Sequence, residues 1–143
     1  MKSRYFKMCF ADNSDFLEKQ IDNFNQRFIN THTQKICLSL KDSKETILAG
    51  LTAEVYGNVF YIKYLWASEK VRGEGLGRKL LKLAEAQARE SYCDVIAVDT
   101  FSFQAPDFYV SNGFCIVGVL ECGDSYNRYY LGKSLMRVSS LTA

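Results

Sequence analysis

The chain passes from an extended apolar run into a helix through Arg72, Gly73, Glu74, Gly75, Leu76, Gly77, Arg78 and Lys79, and this junction limits the fold more than any other stretch. Glycine inside a helix costs about 0.5–1 kcal/mol relative to alanine, so glycines at alternate positions across a helix start mark backbone that bends sharply or is closely approached. The charges are also inverted. A helix N-terminus favours carboxylates by about 0.3–1 kcal/mol each, yet Arg72, Arg78 and Lys79 crowd this one with Glu74 opposing them. An anionic ligand resolves the conflict, because free backbone N–H groups, the helix dipole and neighbouring cations together form a phosphate cradle. The plainer alternative is a glycine-containing turn that starts an ordinary surface helix; against it, glycine is more usual at the end of a helix than at its start. Two related phosphate motifs do not fit. A dinucleotide fingerprint needs G-x-G-x-x-G, but the position three after Gly75 is Arg78, although Asp94 and Asp99 lie at a suitable distance for a ribose contact. A P-loop needs G-x-x-x-x-G-K followed by Ser or Thr, which is absent.

At 143 residues the chain is one domain long, read as a single domain over 1–143 with a loose tail at 138–143. Residues 4–10 read as a first strand, and Asp12, Asn13 and Ser14 can cap a helix whose apolar stripe is Phe16, Leu17, Ile21, Phe24, Phe28 and Ile29. Residues 34–40 are a strand candidate, and alternation of Ile47, Ala49, Leu51, Ala53 and Val55 predicts a half-buried strand over 46–56. Gly57 and Asn58 then offer a tight reversal into an antiparallel partner over 59–67. Leu76, Leu80, Leu83, Ala84 and Ala88, widened by Leu81, give a helix over 76–91 a broad apolar face. The run Val95, Ile96, Ala97, Val98 suits a central strand reached by a parallel crossover. Pro106 fits the start of a short helix that Asn112 and Gly113 end, and 114–122 with 126–135 read as a closing hairpin across Gly123, Asp124 and Ser125. The fold class is therefore mixed α/β (α+β): a mostly antiparallel sheet of six to seven strands flanked by helices.

Two signatures then point to one family. The first is R-x-x-G-x-G, carried by Arg72, Gly75 and Gly77; the second is Ala105, Phe108, Tyr109, Gly113 and Phe114 in the pattern A-x-x-F-Y-x-x-x-G-F. Their order and separation resemble the GNAT superfamily of acetyl-CoA-dependent N-acetyltransferases, over roughly residues 47–135. The resemblance implies the GNAT fold, with its parallel crossover after the acyl-CoA loop. It implies acetyl-CoA as co-substrate, with Leu65, Trp66 and Ala67 along the pantetheine arm and Arg72, Gly73, Glu74, Gly75, Leu76, Gly77 and Arg78 around the pyrophosphate. It also makes Tyr109 the general acid that protonates the departing thiolate. Where many members carry a cofactor-contacting Asn three residues before the alanine, this chain has Ser102, which could instead cap the short helix.

Acyl transfer to an amine needs positioning, removal of an amine proton and stabilisation of oxyanion and thiolate. A backbone N–H near Ala67 could polarise the thioester carbonyl. Glu54 is the candidate base, as a carboxylate among apolar strand residues, although a solvated strand end is the readier explanation of it. Glu121 and Asp124 near the last hairpin could attract a cationic amine, and His32 is of a type suited to base catalysis, but an exposed turn explains the first two and a polar position after the first helix the third. The expected partner is a small-molecule or peptide amine. A net charge of +2, and the lack of a nucleic-acid motif or a membrane-length apolar run, exclude nucleic acid and membrane as expected partners, and a homodimer stays open. Five cysteines without metal-ligand spacing, expected in apolar surroundings, point to a reducing cytoplasm and to no metal. The competing functions are a non-catalytic acyl-CoA sensor or interaction module, which has no use for Tyr109, and a nucleotide-binding regulatory module.

Overall fold

A computed structural model describes residues 4–136. The chain forms two compact units, Met1–Thr31 and His32–Ala143. In the first, helix α1 spans Ser14–Asn25; Asn13 is its N-cap residue, and the Asp12 carboxylate accepts a 2.9 Å bond from the Ser14 N–H. Phe28 and Ile29 lie beyond the helix end rather than on its stripe. The strand expected over residues 4–10 does not form. A lone strand leaves its backbone groups unpaired, and no second strand occurs among the described residues of this unit. The tail expected at 138–143 lies outside the described residues.

The second unit is built on one six-stranded sheet: β1 (Gln34–Lys41), β2 (Ile47–Tyr56), β3 (Val59–Ala67), β4 (Val95–Phe101), β5 (Cys115–Cys122) and β6 (Tyr126–Ser134), in the order β1-β2-β3-β4-β6-β5. The pairing is antiparallel throughout except for β3 with β4. Helix α2 (Leu76–Glu90) makes that parallel crossover. Its Leu80, Leu81, Ala84 and Ala88 are buried with the inward residues of β2, β3 and β4: Ala49, Leu51, Ala53 and Val55, Phe60 and Ile62, Ile96 and Val98. Leu83, expected on that face, is 40% exposed, so the stripe is narrower than the sequence suggests. Short helix α3 (Pro106–Ser111) follows β4, with proline in its first turn, where a missing N–H costs nothing, and Gly113 at φ +92° just past its end.

The register between β2 and β3 slips by one residue: Ala53 faces Ile62, but Thr52 faces Tyr64, so Lys63 is an extra residue in β3. Such a bulge bends a strand and turns later side chains over. Ile62 and Leu65, three apart, consequently share the α2 face. Tyr64 and Trp66 turn to the opposite face, where they are 78% and 56% exposed.

Candidate active site

Chain reversal before α2 begins in a short 3₁₀ turn, Glu69–Val71, started by the Ser68 hydroxyl accepting from the Lys70 N–H at 3.3 Å. Gly73 and Gly75 both take left-handed backbone, φ +85° and +75°, and Gly75 is the N-cap of α2. A helix start leaves its first N–H groups without intrahelical acceptors. Here these belong to the residues following Glu74, whose own N–H is committed to the Val71 carbonyl at 3.2 Å. Gly77 serves a different purpose: a Cβ there would stand 3.0 and 3.2 Å from two atoms of the Phe108 ring, so its missing side chain lets α2 and α3 touch. The loop lines a cavity of about 860 Å³, together with Leu65, Ala67, Phe103, Gln104 and Phe108.

At its other end this cavity meets a split in the sheet. β3 pairs with β4 only from Val59–Val95 to Ile62–Val98, although β3 runs on to Ala67 and β4 to Phe101. The bulge at Lys63 lies where pairing stops. The Ser68 N–H donates to the Leu48 carbonyl at 2.8 Å, which makes Ala49–Ala67 a non-hydrogen-bonded pair of the β2–β3 ladder. By alternation Leu51–Leu65 is another, so the N–H and C=O groups of Leu65 and Ala67 face the open side. An extended chain bearing amides can pair with this edge as an added strand.

Beyond the split lies a second cavity, about 540 Å³, lined by Glu54, Lys63, Tyr64, Asp99, Tyr109 and Arg128 among others; it shares Leu65 and Gln104 with the first. Tyr109 reaches it from α3. Its ring is 7% exposed and packs edge-on against Phe108 and Phe114, centroids 5.2 and 5.5 Å away. Burial, and then the Asp99 charge, push its phenol up to about 12. Across the cavity Arg128 gives Asp99 Oδ1 two bonds, 2.7 and 3.1 Å, and its guanidinium lies 5.5 Å from the ring centroids of both Phe101 and Tyr130. Glu54 and Lys63 form a looser pair at 3.8 Å.

The profile of the acetyltransferase (GNAT) family matches residues 4–114. The chain belongs to this family. Blasticidin-S acetyltransferase of Streptomyces morookaense is 39% identical to this GNAT chain over 69 residues, which are 48% of the chain and 51%, about half, of that relative. An acetyltransferase crystal structure from Bacillus cereus superposes with TM-score 0.83 at 27% identity, covering 92% of this chain and 98% of that one. An aminoglycoside 6'-N-acetyltransferase complexed with coenzyme A shares the fold, with TM-score 0.66 at 15% identity over 90% of this chain and 96% of its own.

Within this GNAT chain most of the expected site residues converge. Leu65, Trp66, Ala67, Arg72, Gly73, Gly75, Leu76, Gly77 and Arg78 line the first cavity, and Tyr109 and Glu54 the second. Ser102 does not join them and does not cap α3: its hydroxyl accepts from the Asn127 N–H at 3.0 Å, tying the end of β4 to β6, while the α3 N-cap is Ala105. Exposed Glu74 is not among the lining residues either. Gln104, which sequence reasoning missed, occupies the junction. Its Oε1 accepts from the Phe101 N–H at 2.8 Å and the Thr100 hydroxyl at 3.1 Å, which folds the turn out of β4. Asp99 and Arg128 were also missed as a pair, since β4 and β6 become neighbours only in the assembled sheet. The cysteines are less sheltered than expected: Cys93 is buried, whereas Cys9, Cys37 and Cys115 are exposed.

Proposed function

We propose that this acyltransferase moves the acetyl group of acetyl-CoA directly onto a primary amine of a small molecule or peptide. The observation that carries the reading is the split between β3 and β4, with an anion cradle at one end and a buried tyrosine at the other. The loop amides and Arg72 suit a pyrophosphate, and the open edge of Leu65 and Ala67 suits the amides of a pantetheine arm. That arrangement delivers a thioester to the junction of the cavities. There the Leu65 N–H, on the same open edge, can polarise the carbonyl, leaving the Ala67 groups to the arm. The amine enters from the side of Glu54 and Asp99; its nitrogen bonds to the acyl carbon as the C–S bond breaks, and its proton leaves to water or to Glu54.

Tyr109 is the donor to the departing sulfur. With its phenol pushed up to about 12, the hydroxyl keeps its proton at neutral pH and is a hydrogen-bond donor there. The hydroxyl therefore holds the thiolate through a charge-assisted hydrogen bond, and solvent completes the protonation. A non-catalytic acyl-CoA sensor would not need this hydroxyl in the cavity. The name of the Streptomyces relative favours a small molecule over a peptide as acceptor. Five free cysteines suit a reducing compartment, and we place the enzyme in the cytoplasm. The test is thiol release from acetyl-CoA across amine-bearing antibiotics, polyamines, amino acids and peptide N-termini. Amine-dependent release with an acetylated product supports the reading; tight CoA binding without acetylation of any class would favour the sensor.

A further inference from the structure

Between β4 and β6 the register sets Asp99 opposite Tyr130 and Phe101 opposite Arg128, so these four side chains form a square on one face of the sheet, charges on one diagonal and rings on the other. Asp99, Phe101 and Arg128 line the second cavity together with Tyr109. The ion pair is lopsided. Nε and Nη2 of Arg128 both donate to a single oxygen, Asp99 Oδ1, at 3.1 and 2.7 Å. A guanidinium has two edges that can grip a carboxylate, and this pairing uses only the side-on one. The end-on edge, one N–H from each Nη, has no hydrogen-bond partner among the described residues. The rings of Phe101 and Tyr130, each with its centroid 5.5 Å from the guanidinium, help the Asp99 bonds to hold its plane in place. An ion pair that serves only to join β4 to β6 needs no cavity beside it. A fork that is fixed but half used, on a cavity wall, offers a seat for a second carboxylate.

The charges of the cavity bear on the rest of the acceptor. Its charged lining is Glu54, Lys63, Asp99 and Arg128, two closed pairs at 3.8 and 2.7 Å with no net charge. A dication such as a polyamine brings two positive charges between walls already balanced, whereas a zwitterion adds none and can set each end against an opposite partner. We propose that the acceptor is an amine that also carries a carboxylate, a zwitterion of the amino-acid type, with its carboxylate on the end-on edge of Arg128 and its amine at the junction of the cavities. The proposal rests on the acetyl-transfer reading and narrows it to one class of acceptor. Asp99 is then a positioning residue, acting through the arginine it holds. Lysine in place of Arg128 would carry the charge without the fork.

The test is thiol-release kinetics with acetyl-CoA and a graded series of ω-amino acids, together with the common α-amino acids, each beside its carboxamide, which keeps the amine and the size and loses only the negative charge. For the best acid the wild type should show a kcat/KM at least about tenfold above that of its amide, as two charge-assisted hydrogen bonds require, with the difference carried by KM. Arg128→Lys should shrink that ratio about fivefold or more. So should the double variant of Asp99→Asn with Arg128→Gln, which leaves no unpaired charge behind. Taken within one variant, the ratio cancels any loss of folded protein or of chemistry, so a merely structural arginine would not move it. Equal rates for acids and amides in the wild type overturn the proposal, as does a ratio that survives both variants. Acetylation of polyamines or aminoglycosides with no acid accepted overturns it too and leaves the acetyl-transfer reading standing. If no amine of any class is acetylated, that reading falls and the proposal with it.

Discussion

Replacing Tyr109 with phenylalanine removes one oxygen from the wall of the second cavity and leaves the ring contacts with Phe108 and Phe114 at 5.2 and 5.5 Å in place. A hydrogen bond to a developing thiolate in a half-closed cavity is worth about 1.5–3 kcal/mol, so kcat should fall about 10–150-fold. CoA affinity should change little, because the hydroxyl's partner exists only once the C–S bond breaks. The same substitution has a signature in stability. The folded phenol titrates near 12 and an unfolded one near 10, so this group's contribution is fully present below about pH 10 and is lost as pH rises toward about 12. The wild type should therefore lose about 2–3 kcal/mol more than the Tyr109→Phe variant between pH 9 and pH 12. Thiol-release kinetics with an identified amine, calorimetry with CoA and denaturant midpoints at both pH values measure these three quantities. Unchanged kcat under conditions where single-turnover experiments show chemistry to be limiting would refute the assignment and reduce Tyr109 to packing.

Other outcomes follow from the same geometry. Gly77→Ala puts a methyl group against the Phe108 ring and should destabilise by about 1–3 kcal/mol, read as a lowered denaturation midpoint. Gly75→Ala meets no neighbour within 4 Å, so its cost should be the left-handed backbone alone, about 1–2 kcal/mol, with weakened CoA binding if the loop shifts to relieve it. Asp99→Asn removes the charge that helps raise the Tyr109 phenol, so the tyrosinate step absent from the corresponding Tyr109→Phe double variant should move to lower pH. Cys93, buried and with its thiol pushed up first by burial and then by the Asp94 charge, should resist alkylation until the protein unfolds, and acetyl-CoA alone should leave no acetyl-cysteine detectable by mass spectrometry.

The hairpin of β2 and β3 and the loop before α2 were legible because their signals are local: alternation, a reversal at Gly57, and glycines among cations. The bulge at Lys63 was not. A single inserted residue leaves the strand's composition intact, and only the partner register shows that Ile62 and Leu65 share a face. Asp99 and Arg128 lie 29 residues apart, and their meeting depends on β6 inserting between β4 and β5, an order that no local pattern encodes. Gly77 was read correctly as a site of close approach, but the approaching group is a side chain of α3. For residues 4–10 propensity misled: apolar residues that could form a strand have no neighbouring strand among the described residues of their unit.

The two principal cavities touch along Leu65 and Gln104, and otherwise have different walls. On the proposed reading donor and acceptor occupy different cavities that meet at one point, so neither need leave before the other binds. An enzyme with this plan has no reason to park the acyl group on itself between visits. Its double-reciprocal plots should intersect instead of running parallel, and desulfo-CoA should compete with the donor alone while the amine can still bind behind it.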